Sequence, residues 1–170
     1  MALDATIGGA NADSYGTLAE ADAYFADRET GNWDGSDSNK EMALRKATDW
    51  LDLVYVGKWK GVKATSTQAR AWPRYSVIDA DGYSIDSETI PRNLKYAQFE
   101  AAKLIAGGTE MQTTINRAVK SEEIGEISVE YMDGATLTAM YPQVTNWLND
   151  LVIGGSSQGG SSGSNQIVRA

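Results

Sequence analysis

Apolar residues recur at helical spacing in four stretches of the chain, and each stretch predicts an amphipathic helix. The predicted helices cover about 18–28, 38–54, 91–106 and 139–152. Thr17 and Glu20 have the spacing of a capping box, and Ser38 and Glu41 repeat this spacing at the start of the second helix. Arg45 and Asp49 lie four residues apart on the second helix, so they predict a surface ion pair.

Two other stretches have the pattern of β-hairpins. In the first, Asp81-Gly82 separates short β-prone runs over 75–78 and 83–85, and Asp-Gly is a hairpin turn signal. In the second, apolar and polar residues alternate over 114–135 about Gly125. An isolated two-stranded ribbon is marginal in water, so the second hairpin either packs on the helices or projects toward a partner.

Both ends of the chain lack the apolar content of its middle. Residues 1–15 are small and polar and predict an extended arm without a core of its own. Residues 154–164 read GGSSQGGSSGS, which cannot fold alone because it has no apolar area to bury. Residues 165–170 follow, and within them Ile167, Val168 and Arg169 form a candidate docking tail.

The predicted fold class is therefore mainly α, with one domain over 16–153. We expect a compact bundle of three to four helices with a projecting β-hairpin near 114–135. An extended arm is expected at each end of the chain, and the C-terminal arm, over 154–170, is the docking tail.

Composition argues against an enzyme. The chain contains neither cysteine nor histidine, so the commonest general base, metal ligand and strong nucleophile are all missing. The acidic turn around Asp81 lacks the glycine position of a calcium loop. We expect no catalytic residue, no metal and no cofactor. The N-terminus has no basic region followed by an apolar run, so we expect a chain made in a cytoplasm.

Charge is distributed unevenly along the chain, whose net charge is −8. Residues 53–78 contain no Asp or Glu and hold five basic residues, so the remainder has 10 basic and 23 acidic residues, a net of −13. Cations beside aromatic rings are how proteins hold single-stranded nucleic acid, and Trp and Arg are also enriched at subunit interfaces. The candidate DNA or subunit contacts are Lys58, Trp59, Lys60, Lys63, Arg70, Trp72 and Arg74.

The tryptophans of this basic stretch have a second interpretation, in which Trp59 and Trp72 are buried and the lysines lie on the wet side of a loop. Trp33 differs from them because it lies in a polar loop with no local apolar stripe. We therefore expect Trp33 to be an exposed contact residue.

Three motifs, in this order, resemble the head–tail adaptor (connector) proteins of tailed bacteriophages. The group is often labelled "putative DnaT-like single-stranded-DNA-binding protein". The matching segments are Q-x-x-x-WPR over 68–74, the Asp81-Gly82 turn followed by I-P-x-x-L-K-x-A-x-x-E-A-A over 90–102, and the alternating segment over 119–131.

This resemblance implies a structural protein of the virion neck. It would form a ring, of twelve copies in such proteins, that joins the portal protein to a tail-side stopper or tail-terminator protein. Double-stranded DNA would pass through the ring without sequence-specific contact, and an acidic wall would let it slide. The alternative is a single-stranded-DNA-binding protein of phage replication that uses residues 55–75. No membrane partner is expected, because no apolar run approaches the length of a span.

Overall fold

The computed structural model describes residues 2–28, 31, 33–111, 121–124, 127–130 and 141–154. Within them the elements are α1 (Leu18–Ala26), α2 (Asp37–Val54), β1 (Val62–Lys63), β2 (Arg74–Tyr75), α3 (Arg92–Ala106), β3 (Ser121–Ile124), β4 (Ile127–Glu130), α4 (Pro142–Thr145) and a 3₁₀ turn (Asn146–Leu148). The fold is mainly α with a hairpin, as the sequence predicts. No described helix is long and apolar enough to cross a membrane.

Helix starts follow the capping chemistry of the sequence, with one correction. At α1 the Thr17 side chain accepts the N–H of Glu20 while the Glu20 carboxylate accepts the N–H of Thr17, which confirms the capping box. The cap predicted at Ser38 is wrong. Ser36 caps α2 instead, because its hydroxyl accepts the Asn39 N–H at 3.4 Å and starts the helix before Ser38 is reached.

The last helix is shorter than the pattern predicts. α4 spans four residues and gives way to the 3₁₀ turn, after which the chain pairs with the segment that follows α2. The Lys60 N–H donates to the Leu151 carbonyl at 3.0 Å, and the Ile153 N–H donates to the Lys58 carbonyl at 2.7 Å. In a continuous helix to residue 152, these backbone groups could not bond to one another. The pairing with the segment after α2 therefore ends the helix.

Both predicted hairpins are present. β3 pairs with β4 antiparallel, with Ser121 opposite Glu130 and Ile124 opposite Ile127. The Asp81-Gly82 turn is closed by a single bridge between Ile78 and Ser84. A third pairing, between β1 and β2, places Val62 opposite Tyr75 and Lys63 opposite Arg74. The Trp72-Pro73 peptide bond is cis.

The main core lies between α2 and α3, and a buried amide joins it to the start of the chain. Gln98 of α3 is buried, and its Nε2 lies 2.6 Å from Ser14 Oγ and 2.8 Å from Thr48 Oγ1 of α2. Its Oε1 accepts the Gly16 N–H at 2.9 Å. A side chain at Gly16 would collide with the Phe99 ring, so only glycine lets α3 approach this closely.

Residues 2–16 form an extended N-terminal arm that lies on the domain. The N–H groups of Asp13 and Ser14 donate to the Asp4 carbonyl, and the Ala69 N–H donates to the Gly9 carbonyl at 3.1 Å. The arm has no core of its own; its Tyr15 joins the common core. The candidate docking tail, with Ile167, Val168 and Arg169, lies outside the described residues.

α2 has one local ion pair, in which Arg45 Nη2 lies 3.5 Å from Glu41 Oε2, and its other ion pairs reach distant segments. The predicted Arg45–Asp49 pair is wrong, because each residue meets a partner from another segment. Arg45 Nε lies 2.6 Å from Asp13 Oδ2 of the arm, and Asp49 Oδ1 lies 2.6 Å from Arg70 Nη1. Carboxylates and cations from distant segments therefore help to fix the arm and the loop over 68–74 against α2.

Replacing Gln98 by leucine tests the buried amide. The change leaves the Gly16 N–H and two hydroxyls without their partner in the core, and each unsatisfied buried group costs about 1–3 kcal/mol. We expect the free energy of unfolding in urea to fall by about 2–4 kcal/mol. Gln143→Leu, at an exposed position of α4, is the matched control and should change it by no more than about 0.5 kcal/mol. Equal effects from both variants would contradict the assignment.

Candidate nucleic-acid interface

The two tryptophans of the basic stretch are buried. Trp59 and Trp72 pack edge to face, with ring centroids 6.1 Å apart, and neither presents a ring face to solvent. The structure agrees with the interpretation in which both are buried, and neither ring is accessible for stacking on DNA. Among the described residues, neither indole N–H has a hydrogen-bond partner.

Arg70 is used inside the domain. Its Nη1 lies 2.6 Å from Asp49 Oδ1, its Nε donates to the Ala12 carbonyl at 2.9 Å, and its Nη2 donates to the Asp13 carbonyl at 3.1 Å. One guanidinium thus joins α2 to the N-terminal arm. Since each of its three nitrogen atoms already bonds within the domain, Arg70 acts as an internal clamp, a different use from the DNA or subunit contact that the sequence suggested.

Arg74 is likewise internal. Its guanidinium donates to the carbonyls of Lys60 and Gly61, both at 2.7 Å, and of Ala71 at 3.1 Å. Burial lowers the pKa of Arg74 from its usual value. These bonds fix the loop that carries the lysines, so Arg74 positions the surface without forming part of it.

A partly buried carboxylate attaches the same loop to α2. Asp52 Oδ1 accepts the hydroxyl of Tyr15, and Asp52 Oδ2 accepts the Ala71 N–H at 3.3 Å. Arg70 Nη1 lies 3.9 Å from Asp52 Oδ2. Burial raises the pKa of Asp52, and burial reinforced by the Asp52 charge raises the pKa of Tyr15 well above its usual value.

The three lysines remain on the surface. Lys58 and Lys63 are exposed and Lys60 is partly exposed. Lys60 Nζ and Lys63 Nζ each reach a backbone carbonyl at 3.4 Å, of Ile78 and Gln68 respectively. None of the three ammonium groups forms an ion pair with a carboxylate in the described part of the chain. Their charge is therefore available to a ligand.

Tyr75 is the exposed aromatic ring of this region. Its side chain is 50% exposed and stands opposite Val62 in the β1–β2 ladder, while its neighbour Arg74 is turned toward the loop carbonyls. Tyr75 was not among the contacts chosen from the sequence. The available signal was strand alternation, which sends Arg74 and Tyr75 to opposite faces. In the same ladder Lys63 stands opposite Arg74, so its side chain starts on the side away from Tyr75 and reaches the Gln68 carbonyl. We call the exposed surface of this region, formed by Lys58, Lys60, Val62, Lys63 and Tyr75, the lysine–tyrosine face.

A second exposed tyrosine lies in an acidic setting. Tyr83 is 73% exposed, and its N–H donates to Asp79 Oδ1 at 2.8 Å, which also accepts the Asp81 N–H at 3.0 Å. Carboxylates beside the ring would repel a phosphate chain. No group of acidic residues in the described ranges is arranged to hold a metal ion. Tyr83 is therefore excluded from the lysine–tyrosine face.

Trp33 is not the exposed contact that its polar loop suggested. Its side chain is 7% exposed, because its Nε1 donates to Asp22 Oδ1 of α1 at 2.7 Å and its ring packs on Phe25 at 4.8 Å between centroids. Lys40 of α2 also approaches Trp33, with its Nζ 5.6 Å from the centre of the indole ring. The partners come from two helices, so local sequence gave no sign of them.

Comparison with protein families gives one match. The model of the family described as "Putative DnaT-like ssDNA binding protein" matches residues 1–170, the whole sequence. No curated protein and no solved structure matches the chain.

The raised pKa of Asp52 predicts a pH dependence of stability. A carboxyl whose pKa is higher in the folded than in the unfolded chain stabilises the fold below its unfolded value, 3.8, and this contribution is lost as pH rises through the folded value. Asp52→Asn cannot titrate. In urea titrations, the difference in free energy of unfolding between the native protein and this variant should therefore fall as pH rises above the unfolded pKa of 3.8. A difference that is constant or rises with pH would contradict the burial of this carboxylate.

Proposed function

The chain belongs to the family of putative DnaT-like ssDNA binding proteins, and on that premise we propose that it binds single-stranded DNA through the lysine–tyrosine face. The observation that carries the proposal is an exposed tyrosine in the same stretch as three lysines that form no ion pair with any described carboxylate, and this stretch contains no Asp or Glu. The proposed role is binding without catalysis, since the chain lacks histidine and cysteine.

The two residue types of the face have separate roles. Lysines attract the phosphate backbone and release its counterions, which makes affinity fall with salt. A tyrosine ring stacks on a base, and base faces are accessible in a single strand but covered by neighbours in a duplex. Tyr75 therefore favours single strands, while the lysines supply attraction that both forms share.

Overall charge limits the strength of this binding. The chain outside residues 53–78 has a net charge of −13, which repels phosphates that approach any other surface. Binding should therefore be confined to one short face and contact few nucleotides. The internal use of Arg70 and Arg74 supports the same conclusion, because three cations remain for DNA instead of five.

Titration of a fluorescent oligothymidylate with the protein, followed by anisotropy at several salt concentrations, tests the proposal. We expect the single strand to bind more tightly than a duplex of the same length. Combining Lys58→Ala, Lys60→Ala and Lys63→Ala should make the slope of log K against log salt shallower by about 2, from about 0.7 per phosphate contact. Lys46→Ala, an exposed lysine of α2 outside the face, should leave the slope unchanged.

The two exposed tyrosines form a matched pair within the same experiment. Tyr75→Ala should weaken binding roughly 5- to 150-fold, which corresponds to about 1–3 kcal/mol for one stacked base. Tyr83→Ala removes an equally large exposed ring from the acidic turn and should leave affinity unchanged. Equal losses from both variants, or no binding by the native protein, would reject the face as a DNA site.

A second candidate function is the phage-neck adaptor that the sequence resemblance implies. It is favoured by exposed apolar side chains in the same region, Val62 and Ile78 among them, because such surface is typical of a contact with another subunit. In this role the chain would form a ring on the portal protein, and its acidic remainder would face DNA in the channel without holding it.

Light scattering separates the adaptor from an independent DNA-binding protein. For the adaptor we expect a monomer or weak oligomer alone, and a ring of fixed stoichiometry when the portal protein of the same phage is added. Val62→Ser should impair ring formation while leaving the thermal unfolding midpoint close to that of the native protein, because this side chain is exposed. A mixture that never forms a complex would reject the adaptor role.

A further inference from the structure

Three large apolar side chains are exposed where the last described residues pair with the segment after α2. Leu53, Val56 and Ile153 are exposed by 62%, 73% and 67%. Single exposed apolar residues are normal on a soluble protein, but several at one place mark a surface that another group covers. We call these three residues the apolar corner.

Backbone hydrogen bonds join the segments that carry the three residues. Leu53 lies in the last turn of α2, and Val56 lies in the turn that the Lys58 N–H closes on the Tyr55 carbonyl at 2.9 Å. The Ile153 N–H donates to the Lys58 carbonyl at 2.7 Å, and Trp59 pairs with Val152. Ile153 is thus tied to the residue that follows this turn.

The described part of the chain ends at this corner. Gly154 has a φ of +75°, a conformation that glycine adopts without strain, and it directly follows Ile153. In the sequence beyond it, the large apolar side chains are Ile167 and Val168. Residues 155–166, which separate Gly154 from Ile167, are all glycine, serine, glutamine or asparagine.

The length of this linker suits a contact within the same chain. A Gly/Ser-rich linker of this length has a root-mean-square span of about 20 Å. A segment tethered by such a linker meets a surface beside its attachment point at an effective concentration on the order of millimolar. Burial of two aliphatic side chains stabilises such a contact and opposes the entropic cost of ordering the tail.

We propose that residues 165–170 dock back onto the apolar corner of their own chain, with Ile167 and Val168 covering Leu53, Val56 and Ile153. The one charged side chain of the tail is Arg169, so no side chain of the tail can form an ion pair with the lysines of the neighbouring face, and apolar burial is the proposed driving force. The contact does not depend on DNA binding. The proposed contact gives the exposed apolar side chains of the corner a partner in the same chain, which every molecule carries.

Amide NMR spectra of the full chain and of a chain lacking residues 165–170 test this contact. We expect the deletion to shift amides over 53–58 and 151–154, which are separated from the deletion by at least ten residues. The combined change Ile167→Ser and Val168→Ser should reproduce these shifts, whereas Arg169→Ser should not. Spectra that differ only next to the deletion would overturn the proposal.

Dilution decides which chain supplies the tail. A contact within one chain is independent of protein concentration, so the shifts should be identical across a tenfold dilution. Shifts that disappear on dilution would overturn the proposal, because they indicate a tail from a second copy. Val56→Ser should remove the tail-dependent shifts, and Ile78→Ser, an exposed apolar position away from the corner, should retain them. Retention in Val56→Ser would also overturn it.

Discussion

The side-chain amide of Gln98 joins three segments that are far apart in the sequence. It binds the Gly16 N–H and Ser14 at the start of the chain and Thr48 on α2, while Gln98 itself lies on α3. These contacts fix where α2 lies, and α2 in turn presents Asp49 and Asp52 to the loop over 68–74. The position of the lysine–tyrosine face therefore follows from a buried amide on another helix.

The loop over 58–75 divides its basic residues between two tasks. Arg70 and Arg74 face inward, where planar guanidinium groups satisfy several carbonyls at once, and the lysines face water. This division follows from chemistry, because a guanidinium offers five fixed donors whereas an ammonium on a flexible stem is strongly hydrated. The same loop can thus be rigid and still present positive charge on an otherwise acidic protein.

Local signals in the sequence predicted local structure well. The Thr17–Glu20 capping box and both hairpins depend on neighbouring residues, and all are present. Features decided by distant segments were missed. Trp33 is buried by Asp22 and Phe25, and Arg45 pairs with Asp13 instead of Asp49, because the fold brings those partners from other elements. The basic stretch was identified from its charge, but burial selected Tyr75 over Trp59 and Trp72 as its exposed ring.

Photo-crosslinking of a single strand that contains 5-iododeoxyuridine tests most directly whether this face holds DNA. Irradiation links the substituted base to an aromatic ring stacked on it, and mass spectrometry of the digested complex identifies the residue. The account predicts a crosslink to Tyr75 that is lost in Tyr75→Ala and reduced by added salt. A crosslink to Tyr83, to another surface, or to no residue of the protein would contradict it.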